Sequence, residues 1–304
     1  MPKSDKSKKI NNFLKNKKVL ITGAAGSIGS ALARRIAELA PKSLIILDQD
    51  ESGLFDVGED TKKLCKIHLV IASIRESDRI NEVFSKYHPD IVYHCAAYKH
   101  VSLMEIWPAE AELTNVYGTK VLVDASIKFA VDKFIFVSTD KAVNGTSVMG
   151  KTKKEGERIC SEANKAKVTK FIIVRFGNVM ASRGSVVPIF QKQISEGKNL
   201  TITDRRMKRF FMGIYEAVEL VIRATIIGKA GDIIVLDMGE PLAIVELAKL
   251  MIKLSGKNLK LVFTKIRKGE KLFEELMTSE EKKRAIKKDG LFVIHVDNKS
   301  GRKK

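Results

Sequence analysis

The 304 residues of this chain are enough for one large α/β domain, with or without a smaller lobe, and the 44% of hydrophobic residues allow a sizeable core. No apolar run approaches the roughly 18–20 residues that a membrane span needs, and no signal-peptide core follows the Lys-rich residues 1–9. The cysteines, Cys65, Cys95 and Cys160, form no CxxC pair. We therefore expect a cytoplasmic protein with free thiols and no metal site.

The formal net charge of +19 is compatible with three kinds of partner: nucleic acid, a membrane surface or an anionic small molecule. The basic residues are mostly Lys and are spread along the chain, with the densest clusters at residues 3–9 and 302–304. A nucleic-acid site would bring Arg and aromatic residues together in one patch, and no stretch does so. The pattern favours a solvated basic surface and predicts no nucleic-acid partner.

Strands and helices alternate along the first half of the chain, after a basic tail at residues 1–16 that we expect to be flexible. An apolar strand at residues 18–22 leads into a glycine-containing loop and a helix at residues 30–40, which Pro41 ends. The later strands are predicted at residues 43–47, 67–71, 90–94, 133–138 and 171–175, and the later helices at 78–87 and 109–130. The alternation predicts an α/β fold, a Rossmann-type, doubly wound parallel sheet over residues 17–177.

The regular alternation weakens in the second half of the chain. Helices are predicted at residues 187–196, 215–227 and 244–254, and short strands at 233–236 and 261–264. We therefore expect residues 178–304 to form mainly a smaller substrate-binding lobe over the carboxyl edge of the sheet, partly interleaved with it.

Three glycines in the string GAAGSIG separate the first strand from its helix. A tight turn, a close approach to a pyrophosphate and helix-on-strand packing each favour a residue without Cβ, and the helix N-terminus offers free N–H groups to phosphates. The loop residues predicted to bind a dinucleotide are Gly23, Ala25, Gly26, Ser27, Ile28 and Gly29.

Asp48 ends the second predicted strand. A carboxylate at this point accepts hydrogen bonds from both hydroxyls of an adenosine ribose and repels a 2′-phosphate. No Arg or Lys occurs in residues 49–58. The sequence therefore favours NAD over NADP as the cofactor.

Eight strings spread over residues 17–276 identify a family. They are ITGAAGSIGS, HCAAYKHVSLME, TNVYGT, STDKAVN, MGKTK, RFGNVMASRGSVVPIF, VLDMGEP and RKGEKLFEEL. Together they resemble the extended short-chain dehydrogenase/reductases, and more narrowly the polysaccharide-biosynthesis (CapD-type) branch of nucleotide-sugar 4,6-dehydratases. Long members of this branch carry an N-terminal membrane region, and this chain resembles the catalytic portion in a stand-alone form.

The resemblance implies a 4,6-dehydratase whose substrate is UDP-N-acetylglucosamine. In that reaction NAD takes a hydride from sugar C4, the resulting 4-ketone acidifies the C5 proton, water leaves across C5–C6, and the hydride returns to C6. NAD is regenerated in each turnover, so it is expected to be a tightly held cofactor. The protein must supply a base near O4, a base for C5 and an acid for the C6 hydroxyl.

The Tyr-x-x-x-Lys motif of ordinary short-chain dehydrogenases is altered here. Lys153 is in register, but Met149 stands in the place of the Tyr and cannot exchange a proton. The resembling branch contains Met-bearing enzymes, which implies that other groups have taken over the proton transfers. By resemblance, Asp140 protonates the departing C6 hydroxyl and Lys141 takes the C5 proton. Thr139 carries a hydroxyl that can relay the O4 proton, and we expect it to do so.

The resemblance also implies residues that contact the cofactor and the substrate. Asn115 resembles the helix-distorting Asn of the superfamily, and His100 is left out of the chemistry because a lone His is more often structural. Further cofactor contacts are predicted at Ser73, Ile74, Ala96, Ala97, Lys99, Asn115 and Lys153. The predicted substrate contacts are Lys99, Asn178, Arg183, Arg209, Arg267 and Glu270.

Some positions depart from the family pattern. Ser73, in the string ASI, stands where a Gly-Asp pair is usual, which removes an expected adenine contact. Gly145 and Lys268 stand where Pro is common.

Two other functions stay open at this point: a nucleotide-sugar 4-epimerase, which would need the Tyr, and a dinucleotide-binding sensor without catalysis. We also expect retention at C5 and a homodimer or higher homo-oligomer.

Overall fold

The computed structural model describes residue 10 and residues 12–296. The strands are β1 (Lys18–Thr22), β2 (Ser43–Asp48), β3 (Ile67–Ile71), β4 (Ile91–His94), β5 (Lys133–Val137), β6 (Lys170–Arg175), β7 (Asn178–Val179), β8 (Leu200–Ile202), β9 (Lys208–Arg209), β10 (Phe211–Met212), β11 (Ile233–Leu236), β12 (Leu242–Ala243), β13 (Leu261–Phe263), β14 (Ile286–Lys288) and β15 (Leu291–Ile294). The α-helices are α1 (Ser27–Glu38), α2 (Glu51–Thr61), α3 (Ser77–Tyr87), α4 (Val101–Ile106), α5 (Pro108–Ala111), α6 (Thr119–Lys128), α7 (Val148–Ala163), α8 (Val186–Ser195), α9 (Ile214–Ile227), α10 (Ile244–Ser255) and α11 (Ser279–Arg284). A π-helix, Glu112–Gly118, joins α5 to α6, and short 3₁₀-helices, Asp140–Ala142 and Asn164–Ala166, follow β5 and α7.

Nine strands of the described residues form the central sheet, in the order β14-β15-β11-β6-β5-β4-β1-β2-β3. Neighbours pair in parallel from β3 to β11, and β15 and β14 add an antiparallel edge. The inner strands are continuous apolar runs, as in the fully buried residues 44–47 of β2, because helices cover both faces of a parallel sheet. The predicted Rossmann-type α/β fold is confirmed.

The structure corrects one predicted helix and adds one that was not predicted. The predicted single helix at residues 109–130 widens into the π-helix Glu112–Gly118 before α6 begins. Helix α2 was not predicted because its two glycines lower the helix propensity of the segment. A Cβ at one of them, Gly53, would lie 2.6 Å from the side chain of Ala25, so close packing on the glycine loop explains its presence.

The second half of the chain contributes β11, β14 and β15 to the central sheet and also forms a smaller lobe. Strands β14 and β15 were not predicted. All three residues of β14 are exposed and its sequence, IKK, carries no apolar alternation, whereas β15, LFVI, is a short apolar run that the sequence analysis did not assign. The smaller lobe has a separate core, whose buried members are Phe190, Leu200, Ile202, Met207, Ile244 and Ala248.

The last part of the predicted flexible tail, residues 1–16, packs into the main core. Ile10 and Leu14 are 4% and 0% exposed and belong to the main core, whereas residues 1–9 and 11 lie outside the described residues. Within the described part of the chain, no helix combines the length and apolar character that crossing a bilayer requires.

Candidate active site

The main cleft lies at the carboxyl ends of β1 and β4, where the strand order reverses and where α/β sheets bind ligands. Gly23 follows β1 with a φ of +70°, and a Cβ there would lie 2.5 Å from the backbone nitrogen of Ala96. A Cβ at Gly29 would overlap the carbonyl oxygen of Gly23. The loop is therefore a bare backbone cradle that opens helix α1, and it fits the pyrophosphate of a dinucleotide.

Asp48 lies at the end of β2, beside this cradle. Its Oδ2 accepts a hydrogen bond from the backbone N–H of Ala25 at 2.9 Å, and its Oδ1 accepts one from Gln49 at 2.8 Å. The carboxylate therefore fixes the glycine loop as well as facing the cleft. The surrounding cavity of about 230 Å³ is lined by Gly23, Ala25, Gly26, Leu47, Asp48, Gln49, Asp50, Ala72, Ser73, Ile74, Arg75, Cys95, Ala96, Ala97, Tyr98, Thr114 and Arg183.

A larger cavity of about 480 Å³ adjoins the first and shares six lining residues with it. Loops after β4, β5 and β6 and the start of α7 form its walls. Its lining contains Gly23, Gly26, Ser27, Ile28, Gly29, Cys95, Ala97, Tyr98, Lys99, His100, Val137, Ser138, Thr139, Lys141, Met149, Lys153, Phe176, Gly177, Asn178, Val179, Ser182, Arg183, Gly184, Ser185 and Val186. Most of the predicted cofactor and catalytic residues thus meet along one cleft.

Thr139, Asp140 and Lys141 follow β5 as a hydrogen-bonded group. Thr139 Oγ1 donates to Asp140 Oδ1 at 2.9 Å, and Lys141 Nζ donates to the same oxygen at 3.0 Å. Asp140 is fully buried and does not line the larger cavity. Its Oδ2 has no partner among the described residues and lies 3.1 Å from the point where a Cβ at Gly177 would be. Gly177 lines the larger cavity, so this oxygen lies next to a residue of the cavity wall.

Lys141 also contacts two residues from the second half of the chain. Its Nζ donates to Asn178 Oδ1 at 3.2 Å and lies 3.8 Å from Glu274 Oε1. Burial raises the pKa of the Glu274 carboxyl, the charge of Lys141 opposes that rise, and Asp140 adds to it. The ammonium group therefore lies between two buried carboxyl groups.

Met149 and Lys153 lie one helical turn apart on the same face of α7. Lys153 Nζ donates to the carbonyl of Val137 at 2.7 Å and lies 3.9 Å from the ring centroid of Phe136. Burial lowers the pKa of Lys153 to about 8. Met149 is 3% exposed and packs in a small apolar cluster with Met104. Met149, which we predicted to stand in the place of the motif Tyr, thus places an apolar thioether against the cavity.

Asn115 lies in the π-helix and connects two walls of the site. Its Nδ2 donates to the carbonyl of Tyr98 at 3.0 Å and to Thr152 Oγ1 at 3.1 Å, and its Oδ1 accepts from the N–H of Tyr98 at 2.8 Å. Asn115 does not line either cavity. It instead holds the loop after β4 against helix α7.

The predicted substrate residues fall into two groups. Lys99, Asn178 and Arg183 line the larger cavity. Burial lowers the pKa of Lys99, and the neighbouring Lys141 lowers it further. The Arg183 guanidinium lies 3.6 Å from the Asp50 carboxylate, so it faces the first cavity as well as the second.

Arg209, Arg267 and Glu270 do not line the described cavities. The Arg209 guanidinium is buried and donates to the carbonyls of Lys271 and Leu272 at 2.8 and 3.1 Å. It therefore fixes the backbone of the segment that follows Arg267 and Glu270. The assignment of these three residues to substrate binding stays a prediction.

Two site residues were missed by the sequence analysis. Glu274 follows the predicted Glu270 in the string RKGEKLFEEL, which gives no sign that its carboxyl reaches Lys141. Arg75 lines the first cavity directly after Ser73 and Ile74. Its place just after β3, at the carboxyl edge of the sheet, could have identified it as a cavity residue. Within the described residues, no group of His, Cys, Asp and Glu side chains is arranged to hold a metal ion.

The sheet order, the glycine cradle and Lys153 on α7 define a short-chain dehydrogenase/reductase fold of the type shared by nucleotide-sugar epimerases and dehydratases. A model of the family described as "Polysaccharide biosynthesis protein" matches residues 19–296. The chain therefore belongs to this polysaccharide biosynthesis protein family.

Individual relatives include enzymes and a solved structure. The probable polysaccharide biosynthesis protein EpsC of Bacillus subtilis is 45% identical over 90% of this chain and 47% of its own length, so the chain spans about half of that relative. A UDP-glucose 4-epimerase of Rickettsia akari is 37% identical over 93% of this chain and 84% of that protein. The X-ray structure of Pen from Bacillus thuringiensis superposes with a TM-score of 0.88 at 38% identity, covering 93% of this chain and 89% of that one.

Proposed function

We propose that this chain catalyses the NAD-dependent 4,6-dehydration of UDP-N-acetylglucosamine to a UDP-4-keto-6-deoxy-N-acetylhexosamine, as a step of surface polysaccharide biosynthesis. The observation that carries the proposal is the Thr139-Asp140-Lys141 group beside a cleft in which Met149 replaces the proton-exchanging Tyr. Dehydration needs an acid and a base besides the group that acts at O4, and this group contains both.

The glycine cradle, Asp48 and Lys153 would hold the NAD of this reaction. When bound, NAD supplies the hydride acceptor and donor. Asp48 accepts hydrogen bonds from the adenosine ribose, while the Lys153 ammonium, desolvated beside Phe136, binds the nicotinamide ribose.

The remaining work is proton transfer by three side chains. Thr139 relays the O4 proton to Asp140 through its 2.9 Å hydrogen bond. Because Asp140 does not line the cavity, the protonated Asp140 donates through the Thr139 hydroxyl to the C6 hydroxyl, which leaves as water, and Lys141, acting as the neutral amine, takes the C5 proton. The protonated Lys141 later returns a proton to C5 on the same face, which gives retention of configuration.

Incubation with UDP-N-acetylglucosamine tests the proposal directly. Mass spectrometry should find a product lighter by one water. The second candidate, a nucleotide-sugar 4-epimerase, is favoured by the name of the Rickettsia akari relative and would give a product of unchanged mass. Retained NAD without any conversion of UDP-hexoses would instead indicate a dinucleotide-binding sensor.

Met149 and Thr139 give a paired prediction about the O4 proton. Met149→Leu keeps the volume and the apolar character of the side chain, so it should cost less than about 1.5 kcal/mol of stability and little turnover. Thr139→Val keeps the shape but removes the hydroxyl, so C4 oxidation should slow much more. Product formation by both variants, each first checked for bound NAD, makes the comparison. A Thr139→Val variant as active as the wild type would exclude the relay.

Asp48 gives a prediction about cofactor choice. Asp48→Ala should weaken NAD binding, because the variant loses the carboxylate that accepts from the ribose. It should also reduce the ratio of NAD affinity to NADP affinity, because the charge that repels a 2′-phosphate is gone. Titration calorimetry with both dinucleotides measures the two affinities. Asp48→Asn is the matched variant, since it removes the charge but keeps an oxygen for the N–H of Ala25. Finding NADP in the protein as isolated would contradict the assignment.

A further inference from the structure

The end of the first cavity that would receive the purine of a dinucleotide lies past β3, and no carboxylate among residues 72–74 is there to accept a hydrogen bond from the adenine amino group. Asp48 pairs with Ile71 in the register of β2 and β3, so a purine attached to a ribose at Asp48 extends past the end of β3. The residues there are Ala72, Ser73 and Ile74, and all three line the cavity. Among these three residues, Ser73 alone has a side chain that can hydrogen-bond a purine, since its hydroxyl both donates and accepts.

Arg75 presents a fixed guanidinium group at the same end. Its Nε donates to Thr114 Oγ1 at 2.9 Å, and its Nη2 donates to Glu110 Oε2 at 2.5 Å. The guanidinium carbon lies 5.6 Å from the ring centroid of Tyr98, within the range of a cation–π contact. The side chain is 26% exposed and lines the cavity together with Tyr98 and Thr114. The planar group is thus held in place before any ligand arrives.

We propose that Arg75 is the platform on which the purine of the cofactor stacks, and that Ser73 leaves the site unable to distinguish adenine from hypoxanthine. The inference rests on the proposed function only through its NAD cofactor. A guanidinium plane stacks on any purine, because every base has a π-face. An Asp accepts from the adenine amino group and repels the hypoxanthine oxygen, whereas a hydroxyl serves either group.

Calorimetric titration with NAD and with nicotinamide hypoxanthine dinucleotide tests both parts. The wild type should bind the two dinucleotides with dissociation constants within about threefold of each other. Arg75→Met should weaken both by about tenfold or more, since stacking of a base on a planar side chain contributes roughly 1–3 kcal/mol. Ser73→Asp should create a preference for NAD of about tenfold, since it restores a carboxylate that only adenine satisfies.

Two further variants control for loss of structure and of charge. Arg79→Met removes an exposed Arg that pairs with Glu82 outside the cavity, and it should bind both dinucleotides as the wild type does. Arg75→Lys keeps the positive charge for Glu110 but lacks the plane, so it should bind weakly while its melting temperature stays near that of the wild type. If Arg75→Met does not fold, the affinity of Arg75→Lys for the two dinucleotides tests whether the guanidinium plane is needed.

Several results would overturn the proposal. The first is that both Arg75 variants bind the dinucleotides as tightly as the wild type does. The second is that the wild type prefers NAD over its hypoxanthine analogue by tenfold or more. The third is that the wild type binds neither dinucleotide. The last result would remove the NAD assignment as well. If the binding pattern is as expected but no UDP-hexose is dehydrated, the proposed reaction fails and the purine platform stands.

Discussion

Lys141→Ala is expected to lower the rate of product formation by about 10²–10⁴-fold, the usual loss when a positioned base is removed. The amino group of Lys141 contacts Asp140, Asn178 and Glu274, so its removal deletes the proposed C5 base and empties the centre of that cluster. C4 oxidation should persist because it uses Thr139. The variant should therefore accumulate bound NADH, visible by its absorbance, without releasing a dehydrated product.

The exposed Lys151 provides the matched control for this prediction. It lies on α7 next to the cavity but does not line it, so Lys151→Ala should turn over normally. Exchange of the C5 hydrogen with deuterated water gives a second readout, since the wild type should incorporate deuterium at C5 and Lys141→Ala should not. Normal turnover by Lys141→Ala would remove this residue from the mechanism.

The local features of the site were predictable from the sequence because each depends on a short segment. The glycine cradle, Asp48 and Lys153 follow from spacing relative to one strand or one helix, and the structure brings them to one cleft. The burial of Asp140 was not predictable in this way, because it depends on packing against Gly177, which follows a different strand. Sequence spacing therefore located the proposed acid without showing that it lies beneath the cavity wall.

Long-range pairing explains most of what was missed. Glu274 reaches Lys141 from the second half of the chain, and neither residue carries a periodic signal for that contact. The edge strand β14 has no apolar pattern of its own and is held by antiparallel pairing with β15, which in turn pairs with β11. The π-helix was missed for a related reason, since the side-chain amide of Asn115 bonds to the backbone of Tyr98, a contact between segments that a helical pattern treats separately.

A buried ion network links the candidate site to helix α11. Arg175, at the end of β6, is fully buried and donates to both carboxylate oxygens of Glu157 at 2.6 and 2.7 Å. It also donates to both oxygens of Glu281 at 2.9 Å, and Ser138 Oγ donates to Glu157 at 2.7 Å. Because Ser138 directly precedes Thr139, the network supports the backbone that carries the proposed proton relay.

Arg175→Met is expected to lower the free energy of unfolding by about 3–5 kcal/mol, because it removes the buried cation shared by Glu281 and Glu157 and leaves Glu157 only the exposed Lys154. Burial alone would raise the pKa of Glu157, but the hydrogen bonds and charge of Arg175 outweigh it and hold that pKa below its usual value. In the wild type this contribution is present above the unfolded-state pKa of Glu, near 4.3, and is lost as pH falls through the lower folded-state pKa. In the variant the buried Glu157 carboxyl has lost Arg175 and favours its neutral form more than in the wild type, so the loss of stability should shrink between pH 7 and pH 4.

Urea unfolding at these two pH values measures the difference, with the exposed Arg158→Met on α7 as a control that should unfold at the wild-type midpoint. Replacing Arg175, Glu157 and Glu281 together by Met, Leu and Leu should recover most of the loss, since a well-packed apolar group often matches a buried ion pair in stability. The triple variant should nevertheless turn over more slowly, because Ser138 loses its acceptor and the segment leading to Thr139 is held less firmly. An Arg175→Met variant as stable as the wild type at pH 7 would contradict the assigned role of the network.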